Sequence, residues 1–405
     1  MREVPKSIRT HIGIFGRANV GKSSFLNMVA SQDVSIVSPL PGTTADVVEK
    51  PMELGAIGPV VFLDTAGVDD ATELSESRIK RTKAAFSRAD VFVVVTEAGQ
   101  WGEYEEGLCN AASGNGAAVV AVVNKTDING LTDEFRRKIS ASTPHIMACS
   151  CVDGSREAAL AEFKKLLSDA GAGDGVQRAL VNDLVPAGGL AVLVVPIDSG
   201  APKGRLILPQ AQALRDLLDG GAVATVVRDT ELKASLAMFS RKPDLVVCDS
   251  QAVKRVVEDT PPDVRCTTFS ILFARQKGDL EEALRGAKAI ANLTTKDRVL
   301  IAEACTHHAA DSDIGRIKIP NMLRKHVGGD IQIDVFSGRD YPHDLERYAL
   351  IIHCGACMIT AREMASRIRK AVGKNVPITN YGMAISYFQG VLDRVMEPFG
   401  LGDRL

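Results

Sequence analysis

Two short clusters in the last quarter of the chain carry soft donors: Cys305-Thr306-His307, and His353-Cys354-Gly355-Ala356-Cys357. Thiolate sulfur and imidazole nitrogen are what zinc and iron–sulfur centres take from a protein. The two-residue gap between Cys354 and Cys357 lets both sulfurs face one centre, and the distant Cys305 closes it. Spacing alone leaves an iron–sulfur cluster and a structural zinc on three cysteines and a histidine both open, with His307 and His353 as the nitrogen donors. A thioredoxin-like redox pair would leave Cys305 and both histidines unexplained. His308, Asp311 and Asp313 read as loop residues within reach of the same centre. His11, His145, His326 and His343 have no partner in sequence and read as structural, and Cys109, Cys248 and Cys266 read as small buried hydrophobes.

A second constellation suits phosphate. Gly16-Arg17-Ala18-Asn19-Val20-Gly21-Lys22-Ser23-Ser24 has the spacing GxxxxGKS. Its glycines let successive backbone N–H groups turn onto phosphates, Lys22 reaches the terminal ones, and the Ser23 hydroxyl sits on magnesium. In Asp64-Thr65-Ala66-Gly67, Asp64 can hold the magnesium shell and the Gly67 amide can sense a γ-phosphate. In Asn124-Lys125-Thr126-Asp127, Asp127 would accept from the N1–H and exocyclic amine of guanine. Adenine lacks that donor pair, and a site built around an unpaired carboxylate rejects the wrong base by roughly 10⁴. The three motifs in this order predict binding of GTP with Mg2+. Cys149-Ser150-Cys151 stands where a base-flanking loop belongs and is expected to approach by backbone.

These residues need elements to hold them. Residues 11–15, 60–63 and 119–123 read as apolar strands, each leading into one motif, and 25–30 as the helix after the glycine loop. A helix over 156–167 and the small-residue run 170–175 close a GTP-binding domain at 1–172. Beyond it, strands at 190–195, 223–227 and 245–248 alternate with helices at 210–218, 231–239 and 252–258, the pattern of a second parallel α/β domain over 176–265. Its three-stranded sheet is small, and pairing with a second copy would cover an edge, so a homodimer interface is expected there. Lys203-Gly204-Arg205 and Asp249-Ser250 read as turns and caps. The third region, 266–405, repeats the alternation, with helices at 280–291 and 361–372 and strands at 299–302, 331–335 and 350–353. Cys305 and His307 then follow one strand end, and His353, Cys354 and Cys357 another, on the edge where open α/β sheets bind ligands. The fold class is α/β: a P-loop domain followed by two smaller parallel α/β domains.

Composition excludes several functions. Over 405 residues the net charge is -2 and aromatics total 5%, so no basic excess draws the whole molecule to nucleic acid or an anionic membrane and no aromatic-and-basic RNA-binding pattern is present, while a local basic patch stays open. No apolar run reaches spanning length, and the N-terminus leads directly into the first strand, so a cytoplasmic protein is expected. In that reducing compartment the eight cysteines are expected as buried thiols or metal ligands rather than disulfides.

Finer features of the first domain resemble the translation-factor-related GTPases of the TrmE/Era type. In Pro41-Gly42-Thr43-Thr44 the resemblance implies a switch with Thr44 on magnesium, and at Asn19 a ligand for K+. Val68 occupies the place of the water-orienting glutamine of Ras-like enzymes, which implies slow hydrolysis stimulated by potassium. Taken with the CxH and HCxxC clusters, with Phe269-Ser270-Ile271-Leu272-Phe273-Ala274-Arg275 and with Asp313-Ile314-Gly315-Arg316, the whole chain resembles the FeFe-hydrogenase maturation GTPases of the HydF family. That resemblance implies a 4Fe-4S cluster on Cys305, Cys354 and Cys357. It also implies a di-iron precursor made with radical-SAM maturases, and its delivery to the hydrogenase apoprotein. Some members place a glutamate seven residues after the first cysteine, where this chain has Ser312. The alternative from the residues alone is an RNA- or ribosome-associated GTPase with a structural zinc module.

Overall fold

The computed structural model describes residues 9–30, 48–64, 85–152, 156–171, 179–197, 206–304, 313–338, 341–342 and 344–402. The chain divides into two compact units, Met1–Val176 and Gln177–Leu405.

In the first unit the strands are Thr10–Phe15 (β1), Val48–Glu53 (β2), Pro59–Asp64 (β3), Val91–Glu97 (β4), Ala118–Asn124 (β5) and Ile146–Ala148 (β6). The valine runs of β4 and β5 show no polar alternation because both faces of a central parallel strand are covered. Accordingly Val93 and Val122 pack into one core layer and Phe92 and Val123 into the other. Among the described residues the sheet order is β2-β3-β1-β4-β5-β6, with β2 antiparallel to β3 and the rest parallel. Strand β1 therefore lies where successive connections leave to opposite sides, the switch point of such sheets, and the glycine loop follows it.

The second unit holds two parallel sheets. Leu190–Val194 (β7), Val223–Val227 (β8), Leu245–Cys248 (β9) and Arg265–Thr268 (β10) form the first, in the order β10-β9-β7-β8. Arg298–Ala302 (β11), Gln332–Phe336 (β12), Leu350–His353 (β13) and Ile378–Asn380 (β14) form the other, in the order β12-β11-β13-β14. Each has four described strands where the apolar pattern gave three. The added strands, β10 with its Arg-Cys-Thr-Thr and β14 with its Ile-Thr-Asn, are too short and polar to show in a hydrophobic pattern. Strand β10 also runs across the boundary expected between residues 265 and 266. One core joins the two sheets: Val192 and Val246 of the first pack in the same cluster as Val299, Ile301 and Ile352 of the second, with Met383 and Ile385 between. The two small α/β sheets expected from the sequence are therefore halves of one unit.

Helix starts in this unit are fixed by side-chain caps. Thr268 accepts from the Ile271 amide at 3.2 Å, Thr360 from Glu363 at 3.1 Å and Asn380 from Met383 at 2.8 Å. Among the described residues β8 is an outer strand of its sheet, with Val223 and Val226 exposed.

Candidate functional site

The phosphate loop is built by glycine backbone. At Gly16, φ +144°, a Cβ would lie 2.2 Å from the Val95 carbonyl oxygen, so only glycine lets the chain turn out of β1 there. At Gly21, φ +91°, a Cβ would lie 2.1 Å from Asn124 Nδ2. That amide donates to the Val20 carbonyl at 3.0 Å, which ties the guanine motif to the phosphate loop. Lys22 is buried, and its ammonium donates to the carbonyls of Gly16 (2.9 Å) and Arg17 (2.5 Å), over the loop it is expected to serve. Asn19, at φ +62°, Ser23 and Ser24 keep exposed side chains at the loop's surface.

Arg17 is drawn away from this loop by an ion pair to buried Glu105, 2.7 Å from Nε to Oε1, and lies over the Tyr104 ring. No motif signalled that anchor. In the guanine motif Lys125, φ +59°, pairs with Glu97, and Asp127 is exposed. The Cys149 carbonyl accepts from the Thr126 amide at 3.3 Å and its amide donates to the Val123 carbonyl at 2.9 Å, which ties this segment to the guanine motif. Its thiol is pushed up by Cys151 and by burial. Asp64 closes β3, whereas Thr44, Gly67 and Val68 lie outside the described residues.

The second site sits at a switch point too. Strands β11 and β13 are neighbours, with Ala302 opposite His353, and one cysteine cluster follows each. Cys305, His307, His308, Asp311 and Ser312 lie outside the described residues, and no metal-binding group of three or more His, Cys, Asp and Glu is found among those described. Among the described residues, the amide of Ala304, which precedes Cys305 in sequence, donates to Cys354 Sγ at 3.1 Å. A cleft of about 380 Å3, its open mouth included, runs past Cys354 and Ala356 between Phe273 and Thr379.

Two buried cations hold the loop that carries Cys354 and Cys357. His353 Nδ1 bonds the Cys354 carbonyl at 2.8 Å, and its Nε2 faces Arg367 Nη1 at 3.0 Å. Arg367 in turn binds Glu363 and the Gly338 carbonyl. Burial, helped by the Arg367 charge, pushes the His353 imidazole down to about 3, so it is neutral, with Nδ1 donating and Nε2 accepting. Both ring nitrogens are thus engaged, and in this arrangement His353 orients the loop instead of facing a metal. Lys277 is the other cation. Its Nζ donates to the carbonyls of Ala356 (3.1 Å), Cys357 (3.4 Å) and Ile359 (3.0 Å). Burial pushes the Cys357 thiol up while the Lys277 charge draws it down.

Behind β11 stands buried Glu303, whose Oε2 accepts from Ser337 (2.6 Å) and Arg316 (3.1 Å). Asp313 caps the next segment by accepting from the Arg316 amide at 2.9 Å. A Cβ on Gly315 would meet Tyr381 Oη at 2.0 Å, which accounts for the glycine in Asp313-Ile314-Gly315-Arg316. His11 and His326 bond the carbonyls of Arg9 and Ile290, as structural residues do, and Cys109, Cys248 and Cys266 are buried. The sequence reading passed over Lys277, Arg367 and Glu303, which lie far from the cysteines or outside the two clusters.

Comparison with known proteins follows the same division. Residues 11–125 match a family of 50S ribosome-binding GTPases. Residues 180–278 match the Hydrogen maturase F dimerization domain, and residues 281–398 the Hydrogen maturase F tetramerization domain. The chain belongs to the HydF-type maturase GTPases. Its first unit is the P-loop GTPase domain of that family, its paired α/β sheets are the two HydF modules, and the dimerization module supports assembly as a dimer.

Curated relatives match the GTPase region. GTPase Der of Deinococcus deserti is 38% identical over 128 residues, 31% of this chain and 29% of that protein. The tRNA modification GTPase MnmE of Symbiobacterium thermophilum is 36% identical over 171 residues, 41% of this chain and 36% of that protein. The chain thus spans about a third of the length of these relatives. Among solved structures, the G domain of the T. maritima FeoB iron transporter is similar over 40% of this chain and 99% of its own, at 19% identity and a TM-score of 0.32. Aquifex aeolicus Era bound to GDP.AlF4- is similar over 54% of this chain and 94% of its own, at 20% identity and a TM-score of 0.32. Among the described residues no helix is long and apolar enough to cross a membrane.

Proposed function

We propose that this chain is a cytosolic, GTP-hydrolysing scaffold of hydrogenase maturation. It holds a 4Fe-4S cluster on Cys305, Cys354 and Cys357, receives a di-iron precursor made by radical-SAM maturases, and delivers it to the hydrogenase apoprotein. The observation that carries this reading is the hydrogen bond from Ala304 to Cys354 Sγ, which sets the approach to the first cysteine against the loop of the other two. The donor set fits the group. Three cysteines that follow two neighbouring strands in sequence, with a backbone amide on the Cys354 sulfur, are the donor set iron–sulfur clusters take. When bound, such a cluster offers one iron for an exchangeable ligand, as a carrier needs. The chain's own residues do the rest: Lys277 and the His353–Arg367 pair fix the loop, and no fourth cysteine lies in the two clusters to close the site.

In the GTPase unit, Gly16, Gly21 and Lys22 cradle the phosphates, Ser24 extends the loop into the helix, and Asn124, Lys125 and Asp127 take the base. Ser23, Thr44 and Asp64 hold Mg2+, and the Gly67 amide senses the γ-phosphate. Asn19 supplies a ligand to K+, whose charge near the phosphates supports hydrolysis where Val68 leaves no water-orienting glutamine. The dimer forms through the dimerization module, where β8 offers an unpaired, valine-rich edge. The zinc and ribosome reading shares the GTPase domain but leaves residues 180–398 without a role.

In vitro maturation tests the proposal. Protein expressed with the radical-SAM maturases should activate apo-hydrogenase, and Cys305→Ser should not. Equal activation by both proteins would remove the cluster from the function.

A further inference from the structure

We propose that Lys277 is the positioning residue of the cysteine loop: its ammonium ties residues 354–359 into a preformed seat and supplies the positive charge against which an anionic, thiolate-bound group is held. The proposal rests on the cluster reading above and deepens it.

Three observations carry it. First, Lys277 is only 5% exposed, and its three acceptors are carbonyls of one loop, those of Ala356, Cys357 and Ile359. Such a clamp fixes the path of the chain across Cys357. Ala356 needs it, since φ +54° is a conformation that residues with a Cβ avoid.

Second, the charge is buried without an anionic partner. No carboxylate pairs with Lys277 among the described residues, and beyond the carbonyls its neighbour is the Phe273 ring, 5.1 Å from Nζ. Carbonyl dipoles and a ring face reduce the cost of desolvating an ammonium but do not cancel it. A neutral donor would have tied the loop without that cost. A negative load seated on Cys354 and Cys357 removes the imbalance.

Third, the scaffold holds Lys277 still. It is the last residue of the helix Phe269–Lys277, whose C-terminal end favours a cation. The chain leaves the helix at Gly278, where a Cβ would lie 3.0 Å from the Ala274 carbonyl oxygen and 3.1 Å from Ile368 Cδ1, so a glycine suits the close approach there. The segment was singled out in sequence as far as Arg275, and its reason for being there lies two residues further on.

The test uses full-length protein with Lys277→Met, which removes donor and charge, Lys277→Gln, which keeps a donor, and Lys277→Arg, which keeps both. In metal-free protein, amide hydrogen exchange over 354–360 should be about tenfold faster in Lys277→Met than in wild type, intermediate in Lys277→Gln, and unchanged over 16–24. After reconstitution with iron and sulfide, the reduction potential should move negative in Lys277→Met and Lys277→Gln alike and stay near wild type in Lys277→Arg. Wild-type exchange in Lys277→Met would overturn the positioning role, and an unchanged potential in both neutral variants would overturn the charge role. Should Lys277→Met fail to fold, the glutamine and arginine variants decide both arms. A wild type that takes up no iron would sink the cluster reading and the charge role with it, while the exchange result would still judge the clamp.

Discussion

The two sheets of the second unit are the same design used twice. In each, the first strand lies beside the third, the second and fourth flank them, and the connection from the second strand to the third passes the first. Cys248 of β9 and His353 of β13 even occupy matching positions, opposite Val194 and Ala302. Yet the first edge is closed. The Cys248 thiol lies 3.6 Å from the Thr267 carbonyl, burial pushes it well up, and the next residue, Asp249, accepts from Gln210 at 2.7 Å. At the second edge a buried lysine ties the loop with no anionic partner among the described residues, and the following residue is a thiol that accepts from an amide. Topology marks where an edge could bind something, and in the proposal above the buried Lys277 beside Cys354 and Cys357 selects the second edge.

The largest test of that contrast exchanges cysteines for serine. Cys354→Ser or Cys357→Ser should abolish or severely destabilise the 4Fe-4S signal in EPR, whereas Cys248→Ser should retain it and lower stability by about 1–3 kcal/mol from burying a hydroxyl. A signal surviving in Cys354→Ser would make the two edges alike.

Next in size is the nucleotide edge, a third switch point that works through glycine. Gly21→Ala would drive a Cβ into the Asn124 amide and should weaken GTP binding by about a hundredfold or more, measured by titration calorimetry. Asp127→Asn should weaken GTP and favour xanthosine triphosphate, because an amide can donate where the carboxylate accepts. Unaltered GTP affinity in either variant would contradict the geometry.

A smaller effect separates the outer edges of the two sheets. Val226→Lys on β8 should weaken the dimer roughly tenfold in sedimentation, and Val335→Lys on β12 should leave it intact, since the dimerization module covers the first sheet. The smallest is ionic: GTP hydrolysis should run several-fold faster in potassium than in sodium at matched ionic strength, from a rate far below one per second. Equal rates would remove Asn19 from the ion site.

What could be read beforehand follows from sequence distance. The nucleotide residues lie in contiguous motifs, each after an apolar strand, so Gly16, Lys22, Asn124 and Asp127 were legible together with the strands that place them. Cys354 and Cys357 likewise lie in one contiguous cluster after an apolar strand. Lys277 was not legible, because a buried cation that clamps a loop 79 residues away leaves no local pattern, and Arg367, 14 residues from the His353 it meets, belongs to no motif. Strands β10 and β14 were missed because threonines and an asparagine, buried by their neighbours, carry no hydrophobic signal. The shared core of the two sheets depends on contacts between distant apolar positions such as Val192 and Ile352, and no spacing rule reveals it.

The central claim is that the β11–β13 edge holds an iron–sulfur cluster and not a structural zinc. Metal and sulfide analysis with EPR on anaerobically purified full-length protein tests it most directly, with Cys305→Ser measured alongside. The account predicts roughly four iron and four sulfide per chain, a reduced-cluster EPR signal, and loss of both in the variant. One zinc per chain, with neither iron nor sulfide, would contradict it.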